Sequence, residues 1–371
     1  MENVVRVLQS VGSMDRGGQE TFIMNVYRNI DRKKLQFDFL INSPNKCDYE
    51  DEIVSMGGII HRIPRRFPHY TKHLRCLDKF LKNNKQYSTI HQHTSNNFAV
   101  STIISAKKHK LKKIIYHSHC SRSEKSFMGE MFDFIYTPKI QRYATHYLAC
   151  SDDSADYLFG GYIDKSKIKI INNGIDATKF AFNIERRDKK RKELNIEDKF
   201  VIGNIARFAE SKNHTFIIDI FAQLHRNNSN AVLMLVGDGE LRNAMEEKVE
   251  TLGLKDNVMF TGVRADILDL LSAMDVFLLP SLFEGLPVTL IEAQASGLHC
   301  IASDTITSEA KITELLEYIS LKESPSYWAS KILSLAKYER NDMRNKIRRA
   351  GFDIKEVARK LEKFYLEGEK L

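Results

Sequence analysis

The 371-residue chain is 43% hydrophobic and 28% charged, a balance that excludes fibrous and disordered classes, and its length suits two domains better than one core. No apolar run approaches the about 18 to 20 residues of a membrane span, and the start Met1-Glu2-Asn3-Val4-Val5-Arg6 lacks the blocks of a signal peptide, so a cytoplasmic protein is expected. The net charge of +8 is uneven: residues 1–180 hold 28 Lys and Arg against 18 Asp and Glu, and the remainder 28 against 30. The five cysteines, Cys47, Cys76, Cys120, Cys150 and Cys300, are scattered without a CxxC pair and read as reduced thiols.

Short apolar runs alternate with helical stretches from the start, beginning at Val4-Val5-Arg6-Val7-Leu8. Met14-Asp15-Arg16-Gly17-Gly18-Gln19-Glu20-Thr21 follows that strand, where Gly17 and Gly18 can bring backbone N–H groups to a phosphate, although neither GxGxxG nor a P-loop is present. Strand runs recur at residues 37–41 and 59–63. From Arg62 to Lys85, cations (Arg65, Arg66, Lys72, Arg75) interleave with Phe67, Tyr70, Leu77 and Phe80. This is either a surface for anionic lipid or a lipid-linked phosphate, or a helix with a solvated basic face. His91-Gln92-His93 and His117-Ser118-His119 each close a strand. Alternate residues of one strand are expected to face opposite ways, and no Cys or acidic cluster completes a zinc set, so no metal is expected. A histidine there can instead hydrogen-bond a sugar or move a proton.

Further strand runs lie at 113–116 and 168–171, and then Glu185-Arg186-Arg187-Asp188-Lys189-Lys190-Arg191-Lys192-Glu193, too polar for a core element, places a domain boundary near 176–198. A second strand series runs through 200–206, 231–236, 258–261 and 276–279, in the pattern of a parallel sheet covered on both faces. Ligands in such folds sit at the carboxyl ends of the strands. Arg207 and Lys212 share the loop after the first of these strands; they can bind a diphosphate and stabilise it as it leaves, or be ordinary surface cations. Asp238, in Gly237-Asp238-Gly239, and Val263, after Gly262, lie in the next two loops, where glycines let backbone approach a ligand. The densest signal is Ser281-Leu282-Phe283-Glu284-Gly285-Leu286-Pro287-Val288-Thr289-Leu290-Ile291-Glu292-Ala293. A strand, a glycine turn at Gly285 and a proline opening a helix make an anion site from free N–H groups such as that of Leu286. Glu284 and Glu292 frame it and can accept hydrogen bonds from sugar and ribose hydroxyls. The last helix carries Ile354, Val357, Ala358, Leu361 and Phe364 or Tyr365 at helical spacing, so one face must be buried.

Those pieces, together with Asn173-Gly174-Ile175-Asp176, stand in an order that resembles glycosyltransferase family 4, retaining enzymes of the GT-B fold, over nearly the whole chain. The stretch from Gly18 to Asp31 is most similar to bacterial enzymes of capsule and exopolysaccharide assembly. The resemblance implies an α/β protein of two Rossmann-like domains whose parallel sheets face an interdomain cleft: residues 1–176 on the acceptor side, a linker at 177–198, a nucleotide-sugar domain at 199–352, and a helix at 353–371 crossing back to the first domain. It implies that Arg207 and Lys212 contact the donor diphosphate, Glu284 the donor sugar, Glu292 the ribose, Val263 the base through its backbone, and His117, or else His119, the reacting centre. It further implies a UDP-sugar donor, a lipid-linked or glycan acceptor, no cofactor or metal, and peripheral contact with an anionic membrane. Residues 303–309 depart from the family in lacking its glycine-rich turn. Two other readings are a nucleotide-sugar epimerase on the same architecture and a noncatalytic nucleotide-binding protein. Nucleic acid is not an expected partner, because no known module is present and Glu284 and Glu292 would repel a phosphate backbone.

Overall fold

A computed structural model describes residues 4–94, 99–119, 127–335 and 338–367. The chain divides into two compact units, the first running to Gly174 and resuming at Gly351, the second spanning Ile175–Ala350. Cys120 lies outside the described residues; the other four cysteines are free thiols.

The first unit holds seven strands, β1 (Val5–Val11), β2 (Leu35–Ile41), β3 (Ile60–Arg62), β4 (Thr89–Thr94), β5 (Lys113–Ser118), β6 (His146–Ala149) and β7 (Ile168–Ile170). They pair in parallel in the order β3-β2-β1-β4-β5-β6-β7. The second unit repeats the plan with β8 (Phe200–Ile205), β9 (Ala231–Val236), β10 (Val258–Phe260), β11 (Val276–Leu279), β12 (His299–Ser303) and β13 (Leu316–Ile319), again all parallel, in the order β10-β9-β8-β11-β12-β13. The central strands read as unbroken apolar runs because helices cover both faces; every residue of β9 is buried. In each sheet the order reverses once, between β1 and β4 and between β8 and β11. The loops leaving those carboxyl ends run in opposite directions, and a crevice opens between them.

The last helix, Ile354–Glu367, belongs to the first unit. Its stripe of Ile354, Val357, Ala358, Leu361, Phe364 and Tyr365 is buried with Phe22, Val26 and Tyr27 of the helix Gly18–Asn29 and with Phe37 of β2. Each large apolar side chain so buried contributes about 1.5–3 kcal/mol relative to exposure. Gly174 permits the return, since a Cβ there would stand 2.9 Å from the Cα of Ile354. Two Rossmann-like units in series, with the final helix returned to the first, make this a GT-B fold.

Two stretches behave differently from their sequence reading. The charged run is the helix Ile184–Glu193, part of the second unit, with Lys190 and Arg191 buried. Lys190 pairs with Asp266 at 2.8 Å, while Arg187 and Arg191 meet Asp275 at 2.5 and 3.2 Å and donate to the backbone carbonyls of Met274 and Ala273 at 2.8 Å each. The cations thus satisfy carbonyls freed at the end of the helix Ile267–Ala273. The basic-aromatic stretch forms the helix Tyr70–Asn83, whose Leu77 and Leu81 lie in the core and are not free for a bilayer. Phe67 and Tyr70 remain exposed and stacked on each other, beside exposed Lys72 and Arg75. Among the described residues no helix is long and apolar enough to cross a membrane.

Candidate active site

In the second unit the β8 and β11 loops meet across the reversal point. Asn213 takes a left-handed turn (φ 55°) to start the helix His214–Asn227, and its side-chain amide donates to the carbonyl of Pro280 at 3.1 Å. The N–H of Leu282 donates to the carbonyl of Ser211 at 2.8 Å. Held this way, Lys212 Nζ reaches both carboxylate oxygens of Glu284 at 2.6 Å, and Ser281 Oγ donates to the same carboxylate at 2.7 Å. Lys212 is therefore engaged with Glu284 and is not an ordinary surface cation. Arg207 is mostly exposed and, among the described residues, pairs only with exposed Glu240, at 3.1 Å. Glu292 stands in the helix Val288–Ala295, half-buried and without a hydrogen-bond partner among the described residues; burial lifts its carboxyl to about 8. Pro287 precedes that helix as its cap, with Gly285 and Leu286 half-buried ahead of it.

The neighbouring loops contribute shape. Gly237 sits at φ 136°, and a Cβ on it would collide with the carbonyl oxygen of Ala206; one on Gly239 would stand 2.6 Å from that of Phe208. These glycines let two protein loops close on each other, which the sequence reading had taken for room to approach a ligand. Asp238 accepts from the N–H of Gly239 at 2.8 Å, capping its own turn. Val263 is 74% exposed after Gly262, whose carbonyl accepts from the N–H of Gly237. His214, which carried no role in the sequence reading, is buried and stacked on Phe208 at 4.1 Å, and burial drops it to about 4.

The first unit carries a cavity of about 720 Å³ at its own reversal point. The loop after β1 and the start of the next helix line one side through Ser13, Gly18 and Glu20, and His93 and His119 line another. Gly17 caps that helix, and a Cβ on it would press against the carboxylate of Glu20. Contrary to the expectation of divergent pairs, His91 and His93 share a face, with ring centroids 4.0 Å apart, as do His117 and His119 at 4.1 Å. Side chains two residues apart on a strand point the same way. Because β4 pairs with β5 in the register His93 to His117, all four rings form one group, in which His91, His93 and His117 are buried. His91 Nε2 lies 3.1 Å from His117 Nδ1, His93 Nδ1 lies 2.9 Å from His119 Nε2, and His91 Nδ1 meets the Tyr365 hydroxyl at 2.5 Å.

Gln9, which sequence reasoning missed, orients one half of the group. Its Oε1 can only accept, so His93 Nε2, 2.8 Å away, carries the proton. His93 Nδ1 then accepts from His119 Nε2–H, and His119 Nδ1 is left as a lone pair with no hydrogen-bond partner among the described residues. His119 reaches the cavity wall, whereas His117 is wholly buried with the edge of Phe22 against it at 5.6 Å. Burial keeps all four imidazoles neutral: His91, His93 and His117 lie well below their ordinary value, and His119 falls to about 3. Nitrogens of His91, His93 and His117 lie within 4.8 Å of one another, a donor set of the kind that suits a transition metal.

Residues 16–179 match glycosyltransferase family 4, and residues 185–353 match the group 1 glycosyl transferases. EpsF of Bacillus subtilis, described as a glycosyltransferase, is 34% identical over 361 residues, covering 95% of this chain and 94% of that one. The chain belongs to glycosyltransferase family 4. This glycosyltransferase is also 40% identical over 147 residues to an Escherichia coli UDP-Gal:alpha-D-GlcNAc-diphosphoundecaprenol alpha-1,3-galactosyltransferase, spanning 38% of each chain. Its fold matches that of Anabaena HepE, solved in complex with UDP and glucose, with a TM-score of 0.77 at 18% identity over 96% of this chain and 97% of that one.

Proposed function

We propose that this glycosyltransferase moves a sugar from a UDP-sugar, with retention, onto a lipid-linked saccharide during assembly of a bacterial capsule or exopolysaccharide. The observation that carries the reading is the grouping of Lys212, Glu284 and Ser281 at the β8/β11 reversal, with Arg207 and Glu292 on the flanking loop and helix. Such a site can hold every part of a nucleotide sugar: cations and the N–H groups of Gly285 and Leu286 for the diphosphate, Glu284 for the sugar, Glu292 for the ribose and the backbone of Val263 for the base. Arg207 is free to turn toward a phosphate, since its present partner is an exposed carboxylate. Lys212 and Arg207 then neutralise charge as the diphosphate leaves, which makes electrostatic stabilisation the main catalytic contribution and requires no divalent ion. His119, the member of the His117/His119 pair that reaches the cavity, is the side chain placed to contact the acceptor. A UDP donor is in keeping with the UDP named for HepE and the galactosyltransferase, and a lipid-linked acceptor with the diphosphoundecaprenol named for the latter.

The test is transfer from a panel of radiolabelled UDP-sugars to undecaprenyl-diphosphate-linked sugars, with and without excess EDTA, and the anomeric configuration of the product read by NMR. A retained linkage formed in EDTA is the expected result. Epimerised donor without acceptor, or activity restored only by magnesium or manganese, would replace this reading with another.

A further inference from the structure

The cavity of the first unit also has a cationic wall. Arg65 and Arg66, in the segment between β3 and the helix Tyr70–Asn83, both line it. Among the described residues neither guanidinium has a hydrogen bond or ion pair, and the Nε of Arg66 is a buried donor without an acceptor there. Other partly buried arginines of this protein are satisfied: Arg6 by Asp38, Arg62 by Glu50, Arg187 and Arg191 by Asp275, Arg264 by Asp266, and Arg340 by the backbone carbonyls of Leu271 and Met274. Arg66 instead has Tyr70, Tyr116 and Tyr136 around it, and burial without a counterion depresses its pKa. A desolvated guanidinium with no anion is unfavourable, so a fold that keeps one is arranged for an anion that arrives from outside.

Two neighbouring features narrow the class of that anion. Paired guanidinium forks suit a phosphate, whose several oxygens accept from both at once. Immediately beyond the pair, Phe67 and Tyr70 stack at 6.1 Å and are 61% and 38% exposed, forming an aromatic shelf next to the cations. The same cavity is also lined by His119 and Ser13, groups suited to sugar hydroxyls. One cavity thus offers imidazole to a sugar and arginine to a phosphate, and the aromatic pair that follows the arginines in the chain suits an apolar chain.

We infer that Arg65 and Arg66 form a phosphate subsite for the acceptor, which holds the diphosphate of a prenyl-linked sugar while Phe67 and Tyr70 take the first units of its chain. The inference rests on the acceptor class of the preceding subsection, and it separates phosphate recognition from the donor cations Arg207 and Lys212 of the other unit.

Calorimetric titration of the full chain, with UDP present at saturation to occupy the donor site, tests it with three probes: farnesyl diphosphate, inorganic pyrophosphate and farnesol. Farnesyl diphosphate should bind with unit stoichiometry, at least tenfold tighter than pyrophosphate, and farnesol should show no comparable binding. Arg66→Gln and Arg65→Gln should each weaken farnesyl diphosphate at least tenfold and leave UDP affinity unchanged. Arg66→Gln should also melt at or above the wild-type temperature without ligand, because it removes an unmatched charge, so lost binding cannot be misfolding. Farnesyl diphosphate binding undiminished in Arg66→Gln, farnesol binding as tightly as its diphosphate, or phosphate binding that vanishes once UDP is present would each overturn the subsite. Binding is read without turnover, so a chain that transfers no sugar yet binds farnesyl diphosphate through Arg66 would sink the transfer reading and support the subsite.

Discussion

Replacing Lys212 by alanine should damage stability as well as transfer, which an ordinary surface cation would not do. Its ammonium stands 2.6 Å from both oxygens of Glu284, and the two side chains are 25% and 8% exposed. At an effective dielectric of about 20, a pair at this distance attracts by about 6 kcal/mol, most of which offsets desolvation. Removing only the lysine keeps the desolvation of Glu284 and leaves Ser281 as its remaining donor, a change of about 3–5 kcal/mol. For a unit of this size, each kcal/mol moves the melting temperature by about 2–4 °C, so Lys212→Ala should melt roughly 6–20 °C lower. The double variant Lys212→Met with Glu284→Gln, which leaves no buried charge, should recover most of that loss and none of the transfer activity. Scanning calorimetry on the three proteins, with transfer measured below each melting temperature, reads both effects. Were Lys212→Ala to melt within 2 °C of the wild type, Glu284 would have to be well solvated, and the ion pair would be a surface contact of little weight.

The histidine group makes the first unit sensitive to acid. His91, His93, His117 and His119 stay neutral in the fold, so as pH falls below about 6.5 the unfolded chain takes up protons that the folded chain refuses. Stability is full above that value and drops by up to about 5 kcal/mol per pH unit below it, with the His119 contribution lost down to about pH 3. Hydrogen exchange at pH 7 and 5.5 should show loss of protection in β4 and β5 ahead of β8 and β9; equal loss in both sheets counts against buried neutral imidazoles. Glu292 works in the opposite direction: its folded pKa of about 8 lies above the ordinary 4.5, so its penalty on stability grows as pH rises between those values. Glu292→Gln should remove that slope from thermal melts taken between pH 5 and 8.5, and should weaken UDP about tenfold if the carboxylate accepts the ribose hydroxyls. An unchanged UDP affinity would free Glu292 from the donor site.

What could be read from the sequence was mainly what burial dictates locally. The runs at 200–206, 231–236 and 276–279 are apolar without alternation because both sheet faces are covered, and that pattern survives in one dimension. The four-residue strands β6 and β13, His-Tyr-Leu-Ala and Leu-Glu-Tyr-Ile, are too short and mixed to stand out, so the reading did not name them as strands. The helix Ile184–Glu193 looked like a solvated linker because its cations are matched by Asp266 and Asp275, some 76 to 88 positions away, and hydropathy cannot register a partner at that distance. For the histidines the information was present and misapplied: two residues apart on a strand already means one face. What no local rule supplies is the adjacency of β4 and β5, which turns two pairs into one group.

The final helix shows how packing and chemistry share residues in this fold. Its apolar stripe seals the side of the first unit formed by Phe22, Tyr27 and Phe37, and on that evidence alone it is a structural lid over a core. Yet Tyr365 also places its hydroxyl 2.5 Å from His91, whose other nitrogen reaches His117, and Phe22 from the same core lies against the rings of both His117 and His119. The imidazoles that meet the cavity, His93 and His119, thus belong to a group completed by a residue 274 positions distant from His91. A chain that returns its last segment to its first unit gains apolar burial and, through one tyrosine, a fixed hydrogen-bond partner beneath the site. That double use accounts for the helix lying across the helix Gly18–Asn29, at whose start Gly18 and Glu20 line the same cavity.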